Sequence, residues 1–122
     1  MNCRKILEIV NAKPLYIFNE NLLNKEYEYI FAADLMSDAL AMVNTHNDTT
    51  ILITGLINAQ SLRTAEMLDI SMIIYVRNKR PSDDDLELAK EMEFNLFTTE
   101  DTMFECCGKL YALGLKASDN DS

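Results

Sequence analysis

The side chains with most chemical potential lie where apolar runs of this chain break off. In FAADLMSDALAMV, residues 31–43, an acid, a hydroxyl and a second acid stand at Asp34, Ser37 and Asp38. Carboxylates at i and i+4 share one side of a helix, where they could hold a cation or move a proton. The serine between them has no neighbouring base in the sequence to activate its hydroxyl. Thr54, Gly55 and Asn58 follow the run TTILITG and offer two small polar side chains and a residue that lets a ligand approach the backbone. Arg77, Lys79 and Arg80 form the densest positive cluster of the chain, and Thr98 and Thr99 end the run NLFTT. These are groups for reversible capture of a small polar or anionic ligand.

Each group also has a purely structural explanation. Asp34 suits a helix N-cap and Asp38 gains from the helix dipole, which accounts for both acids. Against that, a like-charged i, i+4 pair costs a few tenths of a kcal/mol. Two carboxylates also repel a phosphate unless a cation or Arg77 intervenes. Thr54-Gly55 reads equally well as a strand-ending turn, and the basic cluster as a solvated loop. Catalytic motifs are missing: there is no G-x-x-x-x-G-K-[ST], no G-x-G-x-x-G and no G-x-S-x-G. The lone His46 falls at a helix end beside a turn and reads as a dipole partner. The chain is therefore expected not to be an enzyme.

The elements that must position these groups follow from hydrophobic periodicity. Residues 2–11 carry Ile6, Ile9 and Val10 on one helical face. Residues 14–18 form a weak strand, placed at an edge because Pro14 cannot donate to a ladder. Residues 27–33 form a strand, and residues 35–45 a helix on Met36, Ala39, Leu40 and Val43. Strands over 49–55, 71–76 and 95–98 are rich in β-branched or aromatic residues. Helices start after Asn58, after Ser82 with Asp85 as capping-box relative, and after Thr98 or Thr99. The last is expected to turn Met103, Cys107, Leu110 and Tyr111 inward and to stop at Gly114. Strands alternating with helices predict an α/β fold. It is a single three-layer domain, a mostly parallel sheet of four to five strands with helices on both faces. The domain spans 1–115, and 116–122 is a disordered polar tail. Parallel strands bring their carboxyl ends to one edge, the default ligand position of an open α/β sheet.

Composition narrows the partners. The chain has 122 residues, 48% of them hydrophobic and 25% charged, with a net charge of −9. Such acidity argues against nucleic acid and against an anionic membrane surface. No apolar run approaches the roughly 20 residues a membrane helix needs. The start leads into an interrupted apolar pattern unlike a signal peptide, so a cytoplasmic protein is expected. Cys3 stands apart, Cys106 and Cys107 are adjacent, and no C-x-x-C pair or second histidine accompanies them. No metal site and no cofactor are expected.

The blocks AADLMSDALAMV, ILITGLINAQSLRTAEMLDISMIIYVRNKRPSDDDLELAKE and LFTTEDTMFECCGKLYALGL, with ILEIVNAKPL before them, resemble the DRTGG domain family, in particular its small stand-alone members. The resemblance runs from about residue 2 to residue 115. The family's naming string is absent, and Ile30, Phe31 and Ala32 stand where members often carry glycines. The resemblance implies kinship with the N-terminal domain of HPr kinase/phosphorylase, without the kinase part. It also implies a regulatory or ligand-sensing module that forms a homodimer and takes a small anionic or nucleotide-like ligand. The signature positions would be Asp34, Ser37, Asp38, Thr54 and Gly55. The alternatives are a structural interaction or dimerisation protein in a larger assembly, such as a redox or hydrogenase-related one, and a remnant phosphotransferase.

Overall fold

The structure, a computed structural model, describes residues 1–33 and 47–117. The helix expected over 35–45, with Asp34, Ser37, Asp38 and His46, lies outside the described residues. A six-stranded sheet runs in the order β1-β5-β4-β3-β2-β6. Its strands are β1 (Lys13–Tyr16), β2 (Tyr29–Ala32), β3 (Thr50–Thr54), β4 (Met72–Tyr75), β5 (Asn95–Thr98) and β6 (Lys116–Ala117). The α-helices among the described residues are α1 (Cys3–Ile9), α2 (Ala59–Met67), α3 (Asp83–Glu91) and α4 (Met103–Ala112). β1 pairs antiparallel with β5, and the other ladders are parallel. Pro14 does sit on an edge strand, and the register slips between Pro14 and Tyr16.

The middle strands β3, β4 and β5 are buried along their whole length, as runs of β-branched and apolar residues require when both faces are covered. Register divides their side chains between two layers. Ile53, Ile74 and Phe97 lie in one row and meet Cys3, Ile6, Val10, Cys106 and Leu110 of α1 and α4. Leu52, Ile73 and Leu96 lie in the adjacent row and meet Leu62, Ala65 and Ala89 of α2 and α3. Fully burying such a side chain contributes about 1.5–3 kcal/mol.

The helix starts expected at Asn58 and Ser82 are present. Asn58 accepts from the Ser61 backbone at 3.1 Å, and Ser82 from that of Asp85 at 3.2 Å. The helix ends carry less of a sequence signature. Asn11, Asp69 and Glu93 adopt φ values of 53°, 58° and 65° just past α1, α2 and α3, whereas only α4 ends on a glycine, Gly114 at 98°. Side chains in that left-handed region cost roughly 1–2 kcal/mol each, least for Asn and Asp.

Two expectations about the C-terminal part are corrected. The last helix is capped by Thr102, not by Thr98 or Thr99. The Thr102 hydroxyl accepts from the Glu105 backbone at 3.2 Å, and the Glu105 carboxylate accepts from the Thr102 backbone at 3.0 Å. The bonds this carboxylate accepts from the Thr102 amide and, at 3.0 Å, from the Thr102 hydroxyl hold the Glu105 carboxyl below its ordinary pKa. Thr99 is unavailable as a cap because it extends β5: its amide donates to Tyr75 O at 2.8 Å and its hydroxyl to Val10 O at 2.5 Å. Of the residues expected to face inward, Leu110 is buried and Met103 and Cys107 are half-buried against the same core, but the inner side is completed by Cys106 and not by Tyr111, which is 81% exposed. The expected tail begins at residue 116. Lys116 and Ala117 form β6 beside Tyr29 and Ile30, and 118–122 lie outside the described residues.

The connection after β1 is latched from the core. Asn95, fully buried at the start of β5, accepts from the Phe18 amide at 2.8 Å and the Asn19 amide at 3.0 Å, and donates to Asn19 O at 3.0 Å.

Candidate functional site at the carboxyl edge of the sheet

Thr54, Tyr75 and Thr98 form the last row of register across β3, β4 and β5. All three are buried. This brings together the ends of three of the strands whose following loops carry the expected polar groups. The Thr54 hydroxyl accepts from the Leu56 amide at 3.0 Å and so shapes the Gly55 turn leading to Asn58. Asn58 is exposed, with its side-chain oxygen committed to the first turn of α2.

The loop after β4 is held in an unusual shape. Arg77 and Asn78 are consecutive left-handed residues at φ 57° and 56°, with no glycine between them. Such a conformation persists only where surrounding bonds over-determine it. The Arg77 amide donates to Asp101 O at 2.8 Å and the Asn78 amide to Thr99 O at 2.7 Å. From beneath, the Thr98 hydroxyl donates to Lys79 O at 2.8 Å. Thr98 therefore anchors the basic loop from the interior, while Arg77, Asn78 and Arg80 are exposed on it. Arg80 reaches back to the Asn78 side chain at 3.3 Å. The effect is to fix Arg77, Lys79 and Arg80 at the sheet edge on a short rigid arch, in a chain whose net charge is −9.

Thr98→Val tests the anchor. It leaves Lys79 O without the buried hydroxyl that now reaches it, and a loss of about 1–2 kcal/mol is expected in urea denaturation. Hydrogen exchange should accelerate at the Arg77 and Asn78 amides before it does in β4. Unchanged protection of those two amides would show that the hydroxyl is not what holds the arch.

Tyr75 is a residue that sequence reasoning passed over. Its side chain has no exposure, and among the described residues its hydroxyl has no hydrogen-bond partner. Burial pushes its pKa up to about 12, with the neighbouring Ser61 hydroxyl easing the cost and the Asp85 carboxylate adding to it. Ser61 makes no well-formed bond to the phenol; its own proton goes to Asn58 O at 2.7 Å. The phenol thus points between the first turns of α2 and α3. The one available signal was a tyrosine closing the otherwise aliphatic strand MIIY, since a buried phenol normally finds a partner.

A hollow of about 220 Å³ lies at the opposite end of the sheet, lined by Met1, Glu28, Leu113, Gly114, Leu115 and Lys116. None of the expected site residues lines it. Among the described residues no three His, Cys, Asp or Glu side chains gather as metal ligands, and no helix is long and apolar enough to cross a membrane.

No known family profile matches the chain, and no curated protein matches it. A solved structure does. It holds the CBS and DRTGG domains of the regulatory region of a Clostridium perfringens pyrophosphatase, in complex with the activator diadenosine tetraphosphate. The TM-score is 0.66 at 21% sequence identity, over 86% of this chain and 44% of that chain. The fold is DRTGG/CBS-like. This chain spans less than half of the matched regulatory chain, and the likeness is one of architecture. In this chain the architecture is a mostly parallel six-stranded sheet between two helical layers, and the arch at Arg77–Arg80 and the buried row beneath it are built upon it.

Proposed function

We propose that the protein is a non-catalytic, cytoplasmic regulatory module that binds a small anionic or nucleotide-like ligand at the carboxyl edge of its sheet. The carrying observation is the arch. Two left-handed non-glycine residues, bonded to Asp101 and Thr99, hold Arg77, Lys79 and Arg80 beside the Thr54-Gly55 turn. A solvated loop without a task has no need of a shape this costly. In this reading Arg77 and Arg80 meet the anion, Gly55 and Asn58 border it, Thr54 and Thr98 set the two loops, and Asp34, Ser37 and Asp38 complete the site. Two further points support it. A ligand at this edge is the general expectation for open α/β sheets, and the structure sharing the fold is a regulatory region that binds a nucleotide activator. The same reading makes the chain a DRTGG-type unit akin to the N-terminal domain of HPr kinase/phosphorylase, lacking the kinase part.

Thermal denaturation with ATP, diadenosine tetraphosphate and inorganic phosphate is the test. A ligand at a hundredfold excess over its Kd stabilises the folded state by about 2.7 kcal/mol, which a melting curve resolves. Arg77→Ala combined with Arg80→Ala should abolish the shift while leaving the unliganded Tm nearly unchanged. No shift with any of the three probes would count against the reading, as would a shift unaffected by the double substitution.

A second reading, an interaction or dimerisation unit, is favoured by one observation: Phe104 and Tyr111 of α4 are 87% and 81% exposed. The two readings are compatible.

A further inference from the structure

α4 carries two costs on one side. Phe104 and Tyr111 stand seven residues apart, so they share a helical face, and Gly108 lies between them on that face. Aromatic side chains left this open to water, more so than the half-exposed Phe18, are unusual in a protein that fully buries Tyr27, Tyr75 and Phe94. A glycine inside a helix is also unfavourable relative to alanine. The fold does not call for one here, because nothing lies within 4 Å of where a Cβ on Gly108 would stand. Both costs make sense if another helix backbone passes close over Gly108 and the rings on either side close upon it.

Charge and spacing identify that helix. Copies of a chain carrying −9 repel one another unless they meet where fixed charge cancels. α3 is unsuitable, with Asp83, Asp84, Asp85, Glu87 and Glu91 against Lys90. α4 carries only Glu105 and Lys109, and Lys109 is further neutralised by Asp101 at 2.8 Å. The stripe also reads nearly the same in both directions, with a ring at each end and the glycine close to the centre. We propose that two copies of this chain associate through antiparallel α4 helices, related by a twofold axis near Gly108. Phe104 then packs against Tyr111 of the partner subunit, and the same contact recurs on the other side of the axis, as an isologous interface requires. Two rings from each copy supply roughly 600–1,000 Å², at or below the lower end for stable complexes. The dimer is therefore concentration-dependent. The inference rests on the interaction reading and is independent of ligand capture.

Sedimentation velocity of the full chain over a concentration series tests it. The wild type should move from 13.9 kDa toward twice that mass as concentration rises. Phe104→Glu and Tyr111→Glu should each weaken association by about 30-fold or more. Gly108→Ala should raise the Tm of the dilute monomer yet weaken the dimer, a combination that a merely structural glycine would not produce. Met67→Glu, at an exposed apolar residue of α2, should leave association unchanged, and circular dichroism checks that every variant is folded. A wild type that stays monomeric throughout overturns the interaction reading together with this interface. A dimer unaffected by Phe104→Glu and Gly108→Leu overturns the interface alone.

Discussion

Raising the pH from 9 to 11 is expected to unfold the protein. Burial holds the Cys3 thiol up to about 11, with Arg4 easing it, and the Cys106 thiol up to about 12, with Cys107 and Asp101 adding to burial and Lys109 opposing it. The Tyr75 phenol is likewise pushed up to about 12, and that of Tyr27 is raised further by burial and by the nearby Cys3 and Asp48. Below about pH 7.5 both the folded and unfolded states keep these protons, and stability is unaffected. Above it the unfolded chain releases them, the thiols first and the phenols about a pH unit later, while the folded state holds each until its own raised value is reached. Each such group then lowers stability by about 1.4 kcal/mol per pH unit. Together the four remove on the order of 8 kcal/mol by pH 11, comparable with the whole stability of a typical domain, about 5–15 kcal/mol. Helical dichroism should therefore be lost in one cooperative step, with the part of the tyrosinate absorbance that belongs to the buried Tyr27 and Tyr75 rising in that same step. Tyr75→Phe is the companion measurement. It deletes one of the four protons and an unpartnered buried hydroxyl, so stability at neutral pH should rise by about 1 kcal/mol and the alkaline midpoint should move up. Retention of helical signal to pH 12 would mean that these groups are far less enclosed than the structure has them.

Asn95→Ala should be the most damaging polar substitution in the molecule. The side chain satisfies two amides and one carbonyl of residues 18 and 19 from a fully buried position. Removing it leaves those half-buried groups unpaired, at about 1–3 kcal/mol for each one water cannot reach, and a loss near 3 kcal/mol is expected by urea denaturation. Asn95→Asp separates the contributions. It retains the acceptor for both amides and loses the donor to Asn19 O, and should be less stable than wild type as well, because a carboxylate is costly to bury. An Asn95→Ala protein within 0.5 kcal/mol of wild type would show that residues 18–19 do not need the latch.

The parts of the fold readable from sequence were those where a single local signal was strong. β-branched runs at 49–55, 71–76 and 95–98 mark the three central strands, Asn58 and Ser82 mark helix starts, and strand–helix alternation implies a parallel sheet. What escaped depended on distant partners. Thr99 looks like a cap until its hydroxyl is seen bonded to Val10 O, and that commitment leaves the capping of α4 to Thr102. Lys116 and Ala117 have no strand character of their own; they become β6 because Tyr29 and Ile30 offer an open edge. The shape of the arch was hidden for a related reason. Left-handed residues are usually read from glycine, and here Arg77 and Asn78 occupy those positions, so charge was visible at this edge but rigidity was not. Tyr75 escaped because one polar atom in an apolar strand has no periodicity to betray it.

The strand order has a kinetic consequence. Leu52 pairs with Ile73 and Ile73 with Leu96, so the centre of the sheet closes over short stretches of chain. Its margins join residues far apart, Lys13 with Thr98 on one side and Tyr29 with Lys116 on the other. Loop-closure entropy makes such distant pairings late. The expected order of assembly is β3-β4-β5 as the folding nucleus, with β1 and β6 docking afterwards. Substitutions in the centre should then slow folding, and those at the margins should chiefly hasten unfolding. The basic arch spans β4 and the end of β5, inside the part that forms first, so the proposed ligand edge would be in place before the sheet has acquired its borders.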